Sequence, residues 1–488
     1  MRHFFLLVGM ATLMIRTDRA GADPSLQQQT HVALRNAVEF FHNEVASHGG
    51  YVYRYSADLS KREGEGKTTR DTVWVEPPGT PAVGMAYLDA YQRTGEAYLL
   101  AAARAAGECL VRGQLRSGGW SSSIEFGPET RPRHAYRVDT VRERARNWTT
   151  FDDDKSQSAI RMLIQLDKAL EFKDARVHEA SLFALESVLK AQFPNGAWPQ
   201  RFTEFPDPAK FPVKPASFPA SWPRKHPGGD YWVFYTFNDN AIADTVDTLF
   251  LASEVYGEPR YRGAALRGGE FMLLAQMPDP QPAWAQQYDF EMHPVWARKF
   301  EPPAISGGES QGVIQSLLQL YLKTGDRKFL KPVPKALDYL RDSRLPDGRL
   351  ARFHELETNR PLYFTKKYEL TYDDRDMPTH YSFQVGSRLG RLRQRYRHLE
   401  QLTPSELAKL RSDEAEPADV RITPAIEARV RTVISDLDQR GAWVEIGRLR
   451  YHGEDDDTRR IIASATFARN IDLLSRYLAV VRGSCVTP

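Results

Sequence analysis

The feature that most constrains this chain is a unit that recurs along it. Each copy has an amphipathic helix, a short turn with Gly, Asp or Glu, a second helix, and a loop ending in a small residue and an aromatic. The turns read RTGEAYL, FKDARV, YGEPRYR and KTGDRKFL. The loops read HGGYVYRYS, SGGWSSSIEF, NGAWPQRF, QPAWAQQYDF, PDGRLARFHEL and RGAWVEIGRL, which puts the marked position at Tyr51, Trp120, Trp198, Trp284, Leu350 and Trp443. Successive marks lie 66 to 93 residues apart, longer than the repeat of common helical solenoids, and the extra length goes into one polar, aromatic loop per unit. Helical hairpins set in a ring collect such loops at one end. The expected fold is therefore mainly α, an α/α toroid with long irregular loops and short strands at one end, converging on a single cleft. An open helical solenoid is the alternative.

Two stretches depart from the unit. RFTEFPDPAKFPVKPASFPASWPRKHPGGDYW is Pro-rich without helical period and reads as a long surface loop beside the cleft. The charged run at 391–421 reads as helix plus linker with a solvated face, leading to the last hairpin. At the N-terminus, MRHFFLLVGMATLMI has a basic start and an apolar run too short to span a bilayer, then TDRAGA, which together resemble a secretory signal peptide. The expected division is a signal peptide at 1–22, a toroid at 23–390 and a C-terminal helical segment at 391–488 that supplies the toroid's last hairpin. The expected compartment is periplasmic or extracellular.

Sixty-six basic against sixty-three acidic side chains leave a net charge of +3, too small over 488 residues to point to nucleic acid or an anionic membrane. Electrostatic specialisation must be local. Cys109 and Cys485 are the only cysteines, so neither a disulfide framework nor a CxxC metal motif can be read.

Polar residues cluster where the unit predicts loops and helix starts. TTFDDDKSQS sets Asp152, Asp153 and Asp154 before a helix, where capping explains one carboxylate and hard-cation binding wants several. YTFNDNAIADTV repeats the arrangement one hairpin later, with Asn238, Asp239 and Asn240, one of which is expected to cap. AWAQQYDFEMHPVWARKFE adds Asp289, Arg298, Lys299 and Glu301, and ARFHELETNRPLY adds Arg352 and Arg360. Arginines among aromatic rings are often ion-paired or stacked scaffold. No GxSxG, HExxH or phosphate loop is present. Carboxylates with several arginines suit either a glycosidase acid and base pair or chemistry on an anionic substrate, and the number of arginines favours the second.

NGAWPQRF, YTFNDNAIADTV, PAWAQQYD, PVWARKFEPPAISGGES and ARFHELETNRPLY resemble, in order, the sequence blocks of the family 10 polysaccharide lyases, the pectate lyases with a helical toroid. The resemblance implies calcium-dependent cleavage of polygalacturonate by anti β-elimination. It implies that Asp152 and Asp239 bind Ca²⁺, that Arg298 is the proton-abstracting base, and that Arg352 and Arg360 hold substrate carboxylates. Lys299, Trp198 and Asp289 are further candidates for substrate contact. An arginine base needs its cation destabilised, and burial against Trp296 and Phe300 beside Lys299 is expected to do so, with Glu301 able to act oppositely. The family usually has Gln-His-Asp where this chain has Gln287, Tyr288 and Asp289, which bears on subsites more than on the reaction. A monomer is expected. The alternatives are an inverting glycoside hydrolase using Asp152 or Asp239 with Glu301, and a non-catalytic pectin-binding homologue.

Overall fold

The computed structural model describes residues 24–140, 142–415 and 422–485, so the proposed signal peptide lies outside the described residues. Thirteen α-helices are described: α1 (Pro24–Phe40), α2 (Thr80–Thr94), α3 (Ala97–Gly113), α4 (Lys155–Ala169), α5 (Ala175–Lys190), α6 (Ala241–Tyr256), α7 (Pro259–Leu274), α8 (Gly307–Thr324), α9 (Val333–Asp342), α10 (Leu389–Gln401), α11 (Pro404–Ala415), α12 (Pro424–Ser435) and α13 (Ser464–Cys485). In α2/α3, α4/α5, α6/α7 and α8/α9 the two helices of a unit pack on each other, and α13, α2, α4, α6, α8 and α10 follow one another as an inner row. The protein is an α/α toroid. None of the described helices is long and apolar enough to cross a membrane.

The turns inside the hairpins follow from local chemistry. Gly95, Gly257 and Gly325 end α2, α6 and α8 in the left-handed region, each donating its N–H back into the last turn. The FKDARV turn has no glycine, and Glu171 and Phe172 take positive φ in its place. Asp174 then caps α5, accepting from the N–H groups of Arg176 and Val177.

The marked aromatics lock each loop to the outer helix before it. The indole N–H groups of Trp120, Trp198, Trp284 and Trp443 donate to the carbonyls of Leu110, Val188, Met272 and Val433 at 2.9, 2.9, 2.8 and 2.8 Å. Hydroxyls on the next inner helix then hold the backbone of the mark. Tyr51, Trp120 and Trp284 donate their N–H to Thr80, Ser156 and Ser310, and the same hydroxyls return a bond to the marks' carbonyls. In NGAWPQ the approach is closest at Gly196, where φ is +92° and a Cβ would lie 2.0 Å from the Arg267 carbonyl oxygen.

Short antiparallel pairs tie the strand before an inner helix to the loop after its outer partner: Thr149↔Phe202 and Thr150↔Arg201, Tyr235↔Tyr288 and Thr236↔Gln287, Phe353↔Ser306 and His354↔Ile305. The same pairing joins the chain ends, since Arg460–Ala463 before α13 runs beside Arg54–Ser56 after α1. The last inner helix and the first outer helix thus make one unit from the two ends of the chain.

Trp198, expected to contact substrate, is a core residue: it is 0% exposed and its only polar atom is spent on Val188. We predict that Trp198→Phe lowers stability by about 1–3 kcal/mol in urea unfolding, from a void and an orphaned carbonyl, with saccharide binding unchanged. Weakened binding at full stability would return Trp198 to the contact residues.

Candidate active site

Asp152–Asp154 and Asn238–Asn240 form matching short turns ahead of α4 and α6. Asp153 (φ 48°, ψ 40°) and Asp239 (φ 48°, ψ 38°) are left-handed, and so are Asp154 and Asn240 after them. Two consecutive left-handed residues without glycine are costly, and Asp and Asn bear that cost best. In both turns the first residue donates its N–H to a threonine hydroxyl two positions back, Thr150 or Thr236. The expected capping does not occur, since neither Asp154 nor Asn240 makes a side-chain cap bond at its helix. The left-handed turn frees these side chains for other partners, and Asp154 bonds Arg161 at 2.5 Å.

The consequence is a carboxylate cluster. Asp152, Asp153 and Asp239 can each offer one oxygen within 4.8 Å of the others. The buried Lys155 ammonium lies 3.1 Å from Asp153, 3.5 Å from Asp152 and 2.8 Å from Glu76, while the Gln200 amide donates to Asp152. Burial pulls the Lys155 pKa down, but Asp152, Asp153 and Glu76 outweigh it and hold the ammonium above its ordinary value. Burial, then Asp153 and Asp152, push the Asp239 carboxyl up to about 7, with Arg298 opposing.

Arginines face this cluster. Arg298 makes a fork with the buried Glu301 (Nη2 to Oε1 2.7 Å, Nε to Oε2 2.8 Å), and Glu301 also accepts from the Tyr381 hydroxyl at 2.9 Å. Arg352 donates to Glu309 at 3.2 Å and to the Ser382 carbonyl at 2.8 Å. The Tyr381 ring lies between the two guanidiniums, 5.7 Å from Arg298 and 4.8 Å from Arg352. Asp239 acts on both arginines. The expectation that the rings would loosen the Arg298 proton is corrected here. Burial does lower its pKa, but Glu301, then Tyr381 and Asp239, overcome burial and raise it above the ordinary value.

The remaining candidates divide. Lys299 is exposed, with its ammonium 3.7 Å from the Tyr368 ring centre. Arg360 belongs to a separate exposed cluster, stacked 3.5 Å from Tyr372, whose hydroxyl donates to Glu355 beside Arg224. Asp289 spends one oxygen on the N–H groups of Glu291 and His293, holding its own turn. The Pro-rich loop docks on the Arg298 segment, with the Trp296 indole donating to Pro223 at 2.8 Å and His226 bonded to the Ala297 carbonyl at 3.0 Å. Sequence reasoning missed Lys155, Glu76, Glu309 and Tyr381. Glu76 was findable, because it precedes Thr80 by the same four positions that separate Asp152 from Ser156.

The oxygen set of Asp152, Asp153 and Asp239 suits a hard cation. Burial is the main reason the Asp239 pKa is raised, and the smaller part that comes from Asp153 and Asp152 is what a cation between them would relieve.

These features define a helical toroid whose loop end brings a carboxylate cluster and two arginines together. Residues 114–347 match the family model described as pectic acid lyase. That segment, just under half of the chain, is thus similar to pectic acid lyases. No curated protein matches the chain. Among solved structures, a mutant family 10 polysaccharide lyase from Cellvibrio cellulosa in complex with trigalacturonic acid is similar at 18% identity, covering 65% of this chain and 98% of that one with a TM-score of 0.45. A D-mannose isomerase (13% identity, 95% and 100% covered, TM-score 0.43) and a family 76 mannosidase from Bacteroides thetaiotaomicron (12%, 94% and 100%, 0.41) are also similar. All three are too distant to bring a function to this chain.

Asp239 yields a pH prediction. With its folded pKa raised to about 7 from an ordinary 3.8, the folded state holds the proton longer than the unfolded chain, so this group's contribution to stability falls as pH rises between those values. In chelator, Asp239→Asn should therefore raise the melting temperature at pH 8 and leave it nearly unchanged at pH 4. Equal effects at both pH values would contradict the assignment.

Proposed function

We propose that the chain cleaves α-1,4-polygalacturonate by anti β-elimination, releasing 4,5-unsaturated oligogalacturonides, as a secreted or periplasmic monomer. The observation that carries this reading is the meeting of two cation sets with one carboxylate cluster: Arg298 and Arg352 flank Tyr381, and both feel Asp239. A polyuronide presents a carboxylate on every sugar, and arginine forks match that geometry.

In elimination the C5 proton leaves, its electron pair forms the C4–C5 double bond, and the C4–oxygen bond breaks with its electrons going to the departing sugar, which takes up a proton. C5 lies next to the C6 carboxylate, so the step needs that charge neutralised as it spreads toward an enolate. Arg352 supplies fixed positive charge, and the exposed Lys299 and Arg360 suit carboxylates farther along the chain. Ca²⁺, when held by Asp152, Asp153 and Asp239, would add Lewis-acid neutralisation of the same carboxylate. Arg298 is the assigned base. At pH of about 9 the loss of its proton costs about 4–5 kcal/mol from the ordinary pKa gap alone. Glu301 adds to that cost in the resting cleft, so proton abstraction requires the fork to loosen as substrate binds.

A hydrolase reading draws support from Asp239, whose pKa of about 7 suits general acid–base work. Against it, Glu301, the other carboxylate it needs, is buried and committed to Arg298 and Tyr381.

Incubation with polygalacturonate and calcium should raise ultraviolet absorbance from the conjugated product, and chelator should suppress the rise; reducing ends without absorbance would sink the lyase reading. Arg298→Lys should lose nearly all turnover while binding changes by no more than about threefold. Turnover left intact would remove Arg298 as base. Glu301→Gln should move the rising limb of the pH–rate profile, set by deprotonation of Arg298, to lower pH by about one unit.

A further inference from the structure

Beside the charged cleft lies a cavity of about 460 Å³ with mostly aromatic walls, among them Phe202, Phe205, Phe211, Trp232 and Phe290. Its mouth is built from large apolar residues that remain in water, with Trp148 39%, Phe205 43% and Val233 38% exposed. Such residues gathered at one opening mark a binding site more often than they mark packing.

The cavity is continuous with the site described above. Arg201 on its wall follows Gln200, whose amide holds Asp152, and the 201–202 strand pairs with the 149–150 strand leading to the aspartates. Trp232 follows Tyr231, whose backbone carbonyl accepts from Gln287 and whose ring feels both Arg298 and Asp152. Arg201 stands over the Trp232 ring at 5.5 Å and forms no ion pair among the described residues, and its Nε has no hydrogen-bond partner. A smaller cavity of about 180 Å³, lined by Ser121–Ser123, His134 and Arg146, meets the first at Trp148 and Arg201. The Arg201 guanidinium therefore stands between a polar pocket that also holds Arg146 and an aromatic one that also holds Glu204.

A sugar can stack its C–H face on one aromatic ring, but enclosed by several rings its hydroxyls would lose water without replacement partners. What fits is an apolar, planar group tethered to an anionic chain, with its rings packed edge-to-face among Phe202, Phe211 and Trp232 and the neighbouring carboxylate on Arg201. We infer that the cavity binds an aromatic acyl ester carried on the polysaccharide, so that the preferred substrate is an acylated polyuronide. This rests on the lyase reading for its polymer and on the cavity alone for its substituent.

The test uses the full chain and its Val233→Trp and Phe205→Ala variants, both at exposed positions outside the catalytic residues. Methyl 4-hydroxycinnamate, titrated by calorimetry, should bind saturably to the parent and about fivefold or more weakly to each variant. Turnover on plain polygalacturonate should be unchanged in the variants, while unsaturated product from hydroxycinnamoylated polygalacturonate, counted by mass spectrometry, falls by a similar factor. Absence of saturable binding would overturn the inference, and so would variants that match the parent on the acylated polymer. Equal losses on both polymers would make the cavity a sugar subsite and overturn it as well. A parent that binds the ester but forms no unsaturated product from either polymer would fault the lyase reading and leave the pocket standing.

Discussion

Three carboxylates gathered within 4.8 Å of one another repel, and much of this end of the protein can be understood as holding that repulsion in place. At that separation each charged pair costs on the order of 3 kcal/mol in a surrounding of effective dielectric about 20. Lys155 answers part of it from within the cluster, and Gln200 ties Asp152 to the following loop. Burial first, and the remaining repulsion from Asp153 and Asp152 second, raise the pKa of Asp239, which in turn pulls on Arg298 and Arg352. The toroid supplies the stiffness. The aspartates start two neighbouring inner helices, α4 and α6, so they cannot separate without parting helices packed along their length. Closure of the ring through Arg54–Ser56 and Arg460–Ala463 gives those helices a fixed circle to belong to.

The sequence made the scaffold easier to read than the site, for a physical reason. A repeating unit prints its demands many times: glycine at the left-handed turns, a small residue where backbone meets backbone, an aromatic with an N–H for the preceding helix. The same repetition misled at Trp198, because a recurring aromatic in a polar loop looks like a sugar platform until its indole is found on the Val188 carbonyl. The convergence of Asp152 with Asp239 was legible from two like turns one hairpin apart, since consecutive inner helices must be neighbours. Capping was misread because the residues' preference for helix starts is the same whether they cap or adopt the left-handed turn. Tyr381 lies before α10 and carries no local motif, so only the folded chain brings it to Arg298 and Arg352; Glu309 reads in sequence as the last residue of a Ser-x-x-Glu capping box at the start of α8, which conceals its bond to Arg352.

The departures from the family pattern also acquire a local meaning. Tyr288, where the family usually has histidine, is fully buried and gives its hydroxyl hydrogen to the Ala275 carbonyl at 2.7 Å. Asp289 beside it stabilises the turn to His293. That corner is thus partly structural in this chain, with the Tyr288 hydroxyl and one Asp289 oxygen spent on backbone groups. The Pro-rich loop has the opposite effect. Docked through Trp296 and Ala297, it lies over the segment that carries Arg298 and narrows the choice of groups able to reach it.

The Arg298–Glu301–Tyr381 network then determines what kind of catalyst the cleft can be. A guanidinium in a ring-lined wall without Glu301 would shed its proton more readily, but it would also lack a fixed direction. The fork supplies direction and raises the pKa in the same two bonds, so orientation and basicity work against each other at this residue. Relief requires Arg298 to part from Glu301 without gaining another carboxylate partner, since any carboxylate on the guanidinium would hold it cationic as Glu301 does. Binding and activation are then coupled through the fork: a ligand that leaves it closed leaves the arginine cationic. Under the lyase reading, substrate carboxylates therefore fall to Lys299, Arg352 and Arg360, and Arg298 is kept for the proton.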